Sequence, residues 1–171
     1  MKKKLKIIRV TTKPEALQVL LRGQLKFINN FYNVIGLSSP GKELNNVKLK
    51  EGIKVIPLEM TRKITPLKDI FALMGMIKIF NKEKPDIVHS HTPKAGIVSM
   101  VASVICGVPN RIHTVAGLPL KESTGLKKKL LLFVEWLTYR CATKVYVNSN
   151  GLRKYILKNI KIPKKKISII G

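Results

Sequence analysis

The densest chemistry in the chain lies in residues 84–96, Lys84-Pro85-Asp86-Ile87-Val88-His89-Ser90-His91-Thr92-Pro93-Lys94-Ala95-Gly96. Pro85 ends the preceding helical pattern, and residues 86–90 are β-compatible, so the histidines fall on a short buried strand and the turn that leaves it. Thr92 can cap the next helix, and Pro93 suits its first turn, where a backbone N–H lacks a helical partner. Such a helix start favours an anion, and Lys94 adds positive charge beside it. A ligand site is expected here, with Thr92 and Lys94 as phosphate-binding groups; the alternative is an ordinary cap and a solvated lysine. His91, at the strand's carboxyl end, is expected either to reach the ligand or to hold the turn. His89, inside the strand, is expected to pack or hydrogen-bond in the core, and His113 is likewise read as structural. The His89-x-His91 spacing puts two imidazoles on one strand face, but no third ligand accompanies them, so no metal site is expected. No Ser-His-Asp arrangement can be argued.

These groups must be positioned by alternating strands and helices. Strands are expected at 5–10, 33–37, 53–57, 86–90, 111–115, 144–147 and 167–170, and no hairpin signal separates any two of them. Helices are expected from Thr12 to about Phe31, then at 42–49, 65–82, 93–106, 126–141 and 150–160. In the first helix Thr12 and Glu15 have capping-box spacing, and Leu17, Leu20, Leu21, Phe27, Ile28 and Phe31 mark the apolar stripe. Gly23 interrupts that helix at about 1 kcal/mol relative to alanine, either for close approach of a backbone or ligand or for tight packing on the sheet. Thr65 and Pro66 open the 65–82 helix, whose stripe is Leu67, Ile70, Leu73, Met74, Ile77 and Phe80. The pattern is an α/β fold, a Rossmann-like domain with a parallel sheet flanked by helices, and ligands on such sheets bind beyond the strands' carboxyl ends. The loops there are residues 11–13, 38–42, 60–65, 91–94, 116–123 and 148–151. They add Thr11, Thr12, Lys13, Gly117, Lys121 and Glu122 to the candidate binding residues. Gly117 would let a ligand approach the backbone, and Glu122 is either a base or a surface glutamate. Neither a G-x-G-x-x-G turn nor a G-x-x-x-x-G-K-[ST] loop is present, which disfavours a dinucleotide site and a nucleotide-hydrolase loop.

With 171 residues the chain fits one domain spanning 1–171. Its 33 Lys and Arg against 9 Asp and Glu give a net charge of +24, which predicts attraction to an anionic partner unless it is only a solvated lysine-rich surface. Nucleic acid is disfavoured, because no RNA-binding motif or exposed aromatic platform is evident. Cys106 and Cys141, both in apolar helical patterns, read as buried thiols of a reducing cytoplasm. Arg9 breaks the apolar run after Lys2, Lys3 and Lys4 too early for a signal peptide. The uncharged run from Ala95 to Asn110 holds a lysine-free 16 residues and reads as a buried helix rather than a membrane span, which needs about 20. Lys127, Lys128 and Lys129 sit against the helix dipole and precede Leu130, Leu131, Leu132, Phe133 and Trp136. That suits contact with an anionic membrane surface, or a helix packed on the sheet with a basic solvent face.

The element order, "KPDIVHSHTPKAG", "HTVAGLP" and residues 143–151 together resemble the amino-terminal half of family 4 glycosyltransferases, above all bacterial enzymes of capsule and related surface polysaccharide synthesis. The resemblance covers essentially the whole chain and implies one half of a GT-B fold, the acceptor-side domain of a retaining transferase. A nucleotide-sugar donor would bind mainly to a second, carboxyl-terminal domain that also carries a glutamate pair, neither of which has a counterpart here. No cofactor or metal is implied. The implied partners are a lipid-linked saccharide acceptor, the nucleotide-sugar and a donor-domain chain, at the cytoplasmic face of the membrane. The chain alone would be inactive, whether it is an excised piece, a truncated gene product or a subunit that needs a partner; a non-catalytic membrane- or partner-binding module of the same fold is the alternative. Many members carry a histidine where this chain has Ala116, so that residue's role does not carry over.

Overall fold

The computed structural model describes residues 4–115, 117 and 123–170. Seven strands alternate with helices: β1 (Lys6–Val10), α1 (Pro14–Leu20), α2 (Gln24–Asn29), β2 (Asn33–Ser38), α3 (Lys42–Glu51), β3 (Lys54–Pro57), α4 (Pro66–Glu83), β4 (Ile87–Ser90), α5 (Pro93–Ile105), β5 (Asn110–Val115), α6 (Gly125–Cys141), β6 (Lys144–Val147), α7 (Asn150–Asn159) and β7 (Ile167–Ile169). All pairings are parallel, in the order β3-β2-β1-β4-β5-β6-β7. Strand order reverses between β1 and β4, which leaves a crevice beyond their carboxyl ends. The parallel α/β sheet expected from the alternation is the fold observed.

Register explains the two cores. Along β1, Ile8 and Val10 face one side with Met76, Phe80, Val98 and Met100, while Ile7 faces the other with Leu17, Leu21, Leu25 and Leu44. Strands β1 and β2 are buried almost throughout, as strands covered on both faces must be. Strands β4 and β6 alternate buried and half-buried, the pattern of strands covered chiefly from the α4–α7 side. Helix α5 runs through the middle as the expected buried helix, and its Ser99 and Ser103 hydroxyls donate to the carbonyls of Ala95 and Ser99 one turn back. Both polar groups are thereby satisfied inside an apolar layer.

Several local expectations are corrected. The first helix is two, α1 and α2, because Gly23 takes a left-handed φ of +73°. A Cβ there would meet nothing within 4 Å, so backbone conformation, not close approach or packing, demands the glycine. The break rotates the apolar stripe: Leu17, Leu21 and Leu25 are buried, while Leu20, Phe27 and Phe31 are exposed. A carboxylate from elsewhere caps the second piece, with Glu51 accepting from the Gly23 and Lys26 amides at 2.8 and 2.9 Å. The Thr12–Glu15 capping box does not form, since Lys13 is the N-cap of α1 and makes no side-chain cap bond. Thr92 is the N-cap of α5 but likewise gives no side-chain cap. Helix α4 buries Ala72, Met76 and Phe80 and exposes Leu67, Ile70 and Met74, so its stripe lies one step round from the expected one. Cys106 and Cys141 are half-buried rather than buried, as free thiols at the ends of α5 and α6.

Candidate functional site

Beneath the crevice lies a polar knot. The Thr12 amide donates to Thr92 Oγ1 (2.9 Å), the two hydroxyls share a 2.7 Å hydrogen bond, and the Ala95 amide donates to Thr12 Oγ1 (3.2 Å). The cap missing from Thr92 is thus supplied by Thr12, 83 residues before the amide it satisfies. Thr11 is fully buried, its hydroxyl donating to the Lys13 carbonyl at 2.8 Å. Next to this, Arg9 lies 4% exposed on β1 and donates from Nε to His91 Nε2 at 3.0 Å and from Nη2 towards Gln24 Oε1 at 3.4 Å. An accepting Nε2 leaves the His91 proton on Nδ1. Among the described residues no carboxylate pairs with Arg9. Burial lowers its pKa to about 10, which keeps it a cation at neutral pH.

The three histidines are held neutral in this setting. The His89 ring lies 4.1 Å from that of His91, and its Nε2 bonds Thr114 Oγ1 at 2.8 Å. Burial, then the neighbouring His91 and Arg9, push the His89 pKa well below the usual imidazole range; burial and Arg9 do the same to His91. His113 bonds Ser90 Oγ at 2.8 Å, and burial pushes it down to about 4. A Cβ on Gly96 would lie 2.6 Å from His113 Cε1, so this glycine makes room for the imidazole. Among the described residues no group of three or more His, Cys, Asp or Glu is placed to hold a metal.

Above the knot opens a pocket of about 700 Å³, lined by Thr12, Lys13, Ala16, Arg62, Lys63, Ile64, Thr92, Pro93, Lys94, Ser123, Lys127 and Leu131. It draws together Thr12, Lys13, Thr92, Lys94 and Lys127 from the sequence-derived candidates. His91 lies below it, bonded to Arg9; Gly117 is exposed and not in its wall; Lys128 and Lys129 lie further along α6. Lys121 and Glu122 fall outside the described residues. The start of α5 has little left for an anion, because Pro93 has no N–H and Thr12 takes that of Ala95. The Lys94 ammonium is neutralised by Asp69, which also accepts from Thr65 Oγ1 at 3.1 Å. Positive potential therefore comes from Lys13, Arg62, Lys63 and Lys127, none of which pairs with a carboxylate among the described residues. Such a concave cluster of cations, with threonine hydroxyls at its base, makes a positive potential that attracts anions. Sequence reasoning missed Arg62, Lys63 and Arg9. The first two sit in a loop recognisable as a strand exit, and Arg9 is the lone charge in an otherwise apolar stretch of the first strand.

The fold and its crevice define a Rossmann-like α/β domain, an architecture found in just under half of the length of several longer solved chains. HepE from Anabaena, solved with UDP and glucose, matches with a TM-score of 0.74 at 15% identity over 97% of this chain and 44% of its own. A glycosyltransferase from Rickettsia africae matches at 0.65 with 22% identity over 98% and 42%. A family profile described as Glycosyl transferase 4-like matches residues 16–149, and the chain belongs to that family. It is similar to the capsular polysaccharide biosynthesis glycosyltransferase CapM of Staphylococcus aureus, 39% identical over 153 residues, which are 89% of this chain and 40% of the relative. It is also 35% identical, over 65% of its length and 29% of the relative, to an Escherichia coli UDP-Gal:alpha-D-GlcNAc-diphosphoundecaprenol alpha-1,3-galactosyltransferase. The chain thus spans well under half the length of the relatives it matches. Among the described residues no helix is long and apolar enough to cross a membrane.

Proposed function

We propose that the chain is the acceptor-side domain of a retaining glycosyltransferase that moves a sugar from a nucleotide-sugar to a lipid-linked saccharide during capsule-type polysaccharide synthesis, at the cytoplasmic membrane face. The observation that carries this reading is the pocket at the switch point, with the hydroxyls of Thr12 and Thr92 at its base and Lys13, Arg62, Lys63 and Lys127 around it. Cations there attract the diphosphate of a lipid-linked acceptor, and hydroxyls suit its sugar. The nucleotide-sugar would be held mainly by a second domain, which would also supply the charge stabilisation that transfer requires. The E. coli relative's name, with its diphosphoundecaprenol-linked acceptor, supports this substrate class. Lys127, Lys128 and Lys129 beside the exposed Leu126, Leu130 and Phe133 support docking on an anionic bilayer.

The test is transfer of labelled sugar from nucleotide-sugars to a diphosphoundecaprenol-linked saccharide. This chain alone should give no product, and the same chain joined to or mixed with a donor domain should give it. In that active form, Lys63→Glu with Lys127→Glu should raise the acceptor KM at least ten-fold, about 1.4 kcal/mol, with kcat little changed. An unchanged KM would remove the pocket from acceptor binding.

A further inference from the structure

The polar pocket does not end at its apolar edge. It shares Arg62, Ile64, Pro93, Lys94 and Leu131 with an adjoining groove of about 370 Å³ that runs between α4 and α6 over the back of α5. Ile97 and Val101 form part of the groove floor, Ile70 and Leu73 one wall, and Leu131 and Val134 the other. Among the described residues its charged lining is Arg62, Asp69 and Lys94, at the end where it joins the pocket. The surface therefore has polarity: cations and hydroxyls first, then hydrocarbon only.

We infer that this groove receives the first isoprenoid units of the lipid-linked acceptor, with the diphosphate in the basic pocket. The inference rests on the acceptor-binding reading and adds that part of the lipid chain leaves the bilayer to lie on the protein. Two features favour a chain over a bilayer surface as the occupant. The lining is concave, whereas a bilayer would meet projecting side chains such as Leu67, Phe71 and Met74 on the outer side of α4. The charge complement is local as well: the unpaired cations sit at one mouth, which suits a ligand carrying its anion at one end. The volume lies at the small end of ligand pockets and matches a short segment of chain rather than the whole lipid. Each methylene moved from water into such a groove strengthens binding about four-fold.

The experiment uses the 171-residue chain, with inorganic diphosphate, geranyl diphosphate and farnesyl diphosphate as probes, in calorimetric titrations without detergent. Geranyl diphosphate should bind at least ten-fold tighter than diphosphate, and farnesyl diphosphate tighter again. Ile70→Glu, at a half-exposed wall position, should erase this gain and leave diphosphate binding unchanged. Val101→Trp, which fills the groove from its floor without adding charge, should do the same. Phe71→Glu, on α4 but outside the groove, should leave the gain intact. The inference is overturned if the prenyl diphosphates bind no tighter than diphosphate, if the gain survives both groove variants, or if it arises only when vesicles are added. Loss of the gain with diphosphate binding retained would leave the pocket's role standing. Failure of diphosphate itself to bind would fell the pocket reading and the groove with it.

Discussion

The two ends of the sheet treat charge in opposite ways. At the amino end a buried acid gathers bases from two strands: Glu83, 8% exposed, pairs with Lys6 at 3.1 Å and Lys54 at 2.6 Å, and Asp86 accepts the Lys6 amide at 2.7 Å. At the carboxyl end, among the described residues, the one ion pair is Asp69 with Lys94. With 9 acids for 33 bases, where the acids go is informative. Glu51, Glu83 and Asp86 hold the framework together at the amino end, while the cations lining the crevice, Lys94 apart, pair with no carboxylate among the described residues. The difference separates a face whose buried carboxylates are used in folding from the face on which the acceptor-binding proposal rests.

Acid should break the carboxyl end first. His113 has its pKa lowered from 6.5 to about 4 by burial, so the unfolded chain binds the proton more readily. The resulting stabilisation, about 3 kcal/mol, is fully present above pH 6.5 and is lost as pH falls from there towards 4; His89 and His91, shifted the same way, add to the loss. Glu83 has its pKa lowered below 4.5, chiefly by its hydrogen bond to Lys54, so its contribution persists to lower pH. Denaturant melts between pH 7 and 4 should show the decline already under way by pH 5.5, and a curve flat down to pH 4.5 would contradict the buried-histidine account. Gly96→Ala attacks the same knot sterically: the new methyl meets His113 Cε1 and Thr138 Cγ2, for a loss of about 2 kcal/mol measurable as a lower denaturation midpoint. Glu83→Gln should cost about 1 kcal/mol, since Lys54 is more than half exposed. The exposed Lys127→Glu should move stability by less than about 0.5 kcal/mol. A Glu83→Gln loss no larger than that of Lys127→Glu would erase the contrast between the two ends.

Much of the fold was legible because its signals are local. Strands such as Ile7 to Val10 and helices bounded by Pro66, Pro93 and Ser149 are specified within a few residues, and Ser149 does cap α7 by accepting from the Leu152 amide. What failed was non-local. Thr12 sits in sequence where it should cap its own helix, yet its hydroxyl serves a helix brought alongside by the β1–β4 pairing. The apolar residues of α4 surround the helix on nearly every side, so periodicity could not choose between Met74 and Met76; packing against α5 in the core chose Met76. Lys13 and Thr92, expected as binding residues, and Lys127, expected at a membrane surface, were singled out because each follows a strand or opens a helix, and the fold brings all three to the wall of one pocket. Arg62 and Lys63 were passed over, since only the fold shows their loop bending across the crevice. Arg9 looked like an interruption of an apolar run, and nothing nearby in sequence announces that His91 and Gln24 will receive it.

The hydroxyl contact between Thr12 and Thr92 also has a mechanical consequence. It joins the exit of β1 to the start of α5 where the strand order reverses, so moving either loop alone has to break these hydrogen bonds. On the acceptor-binding proposal, a substrate entering the crevice would therefore meet a braced base. Accommodation would then fall to the rim formed by Arg62, Lys63 and the first turn of α6, and a larger acceptor would be admitted by displacing the rim while the base kept its shape.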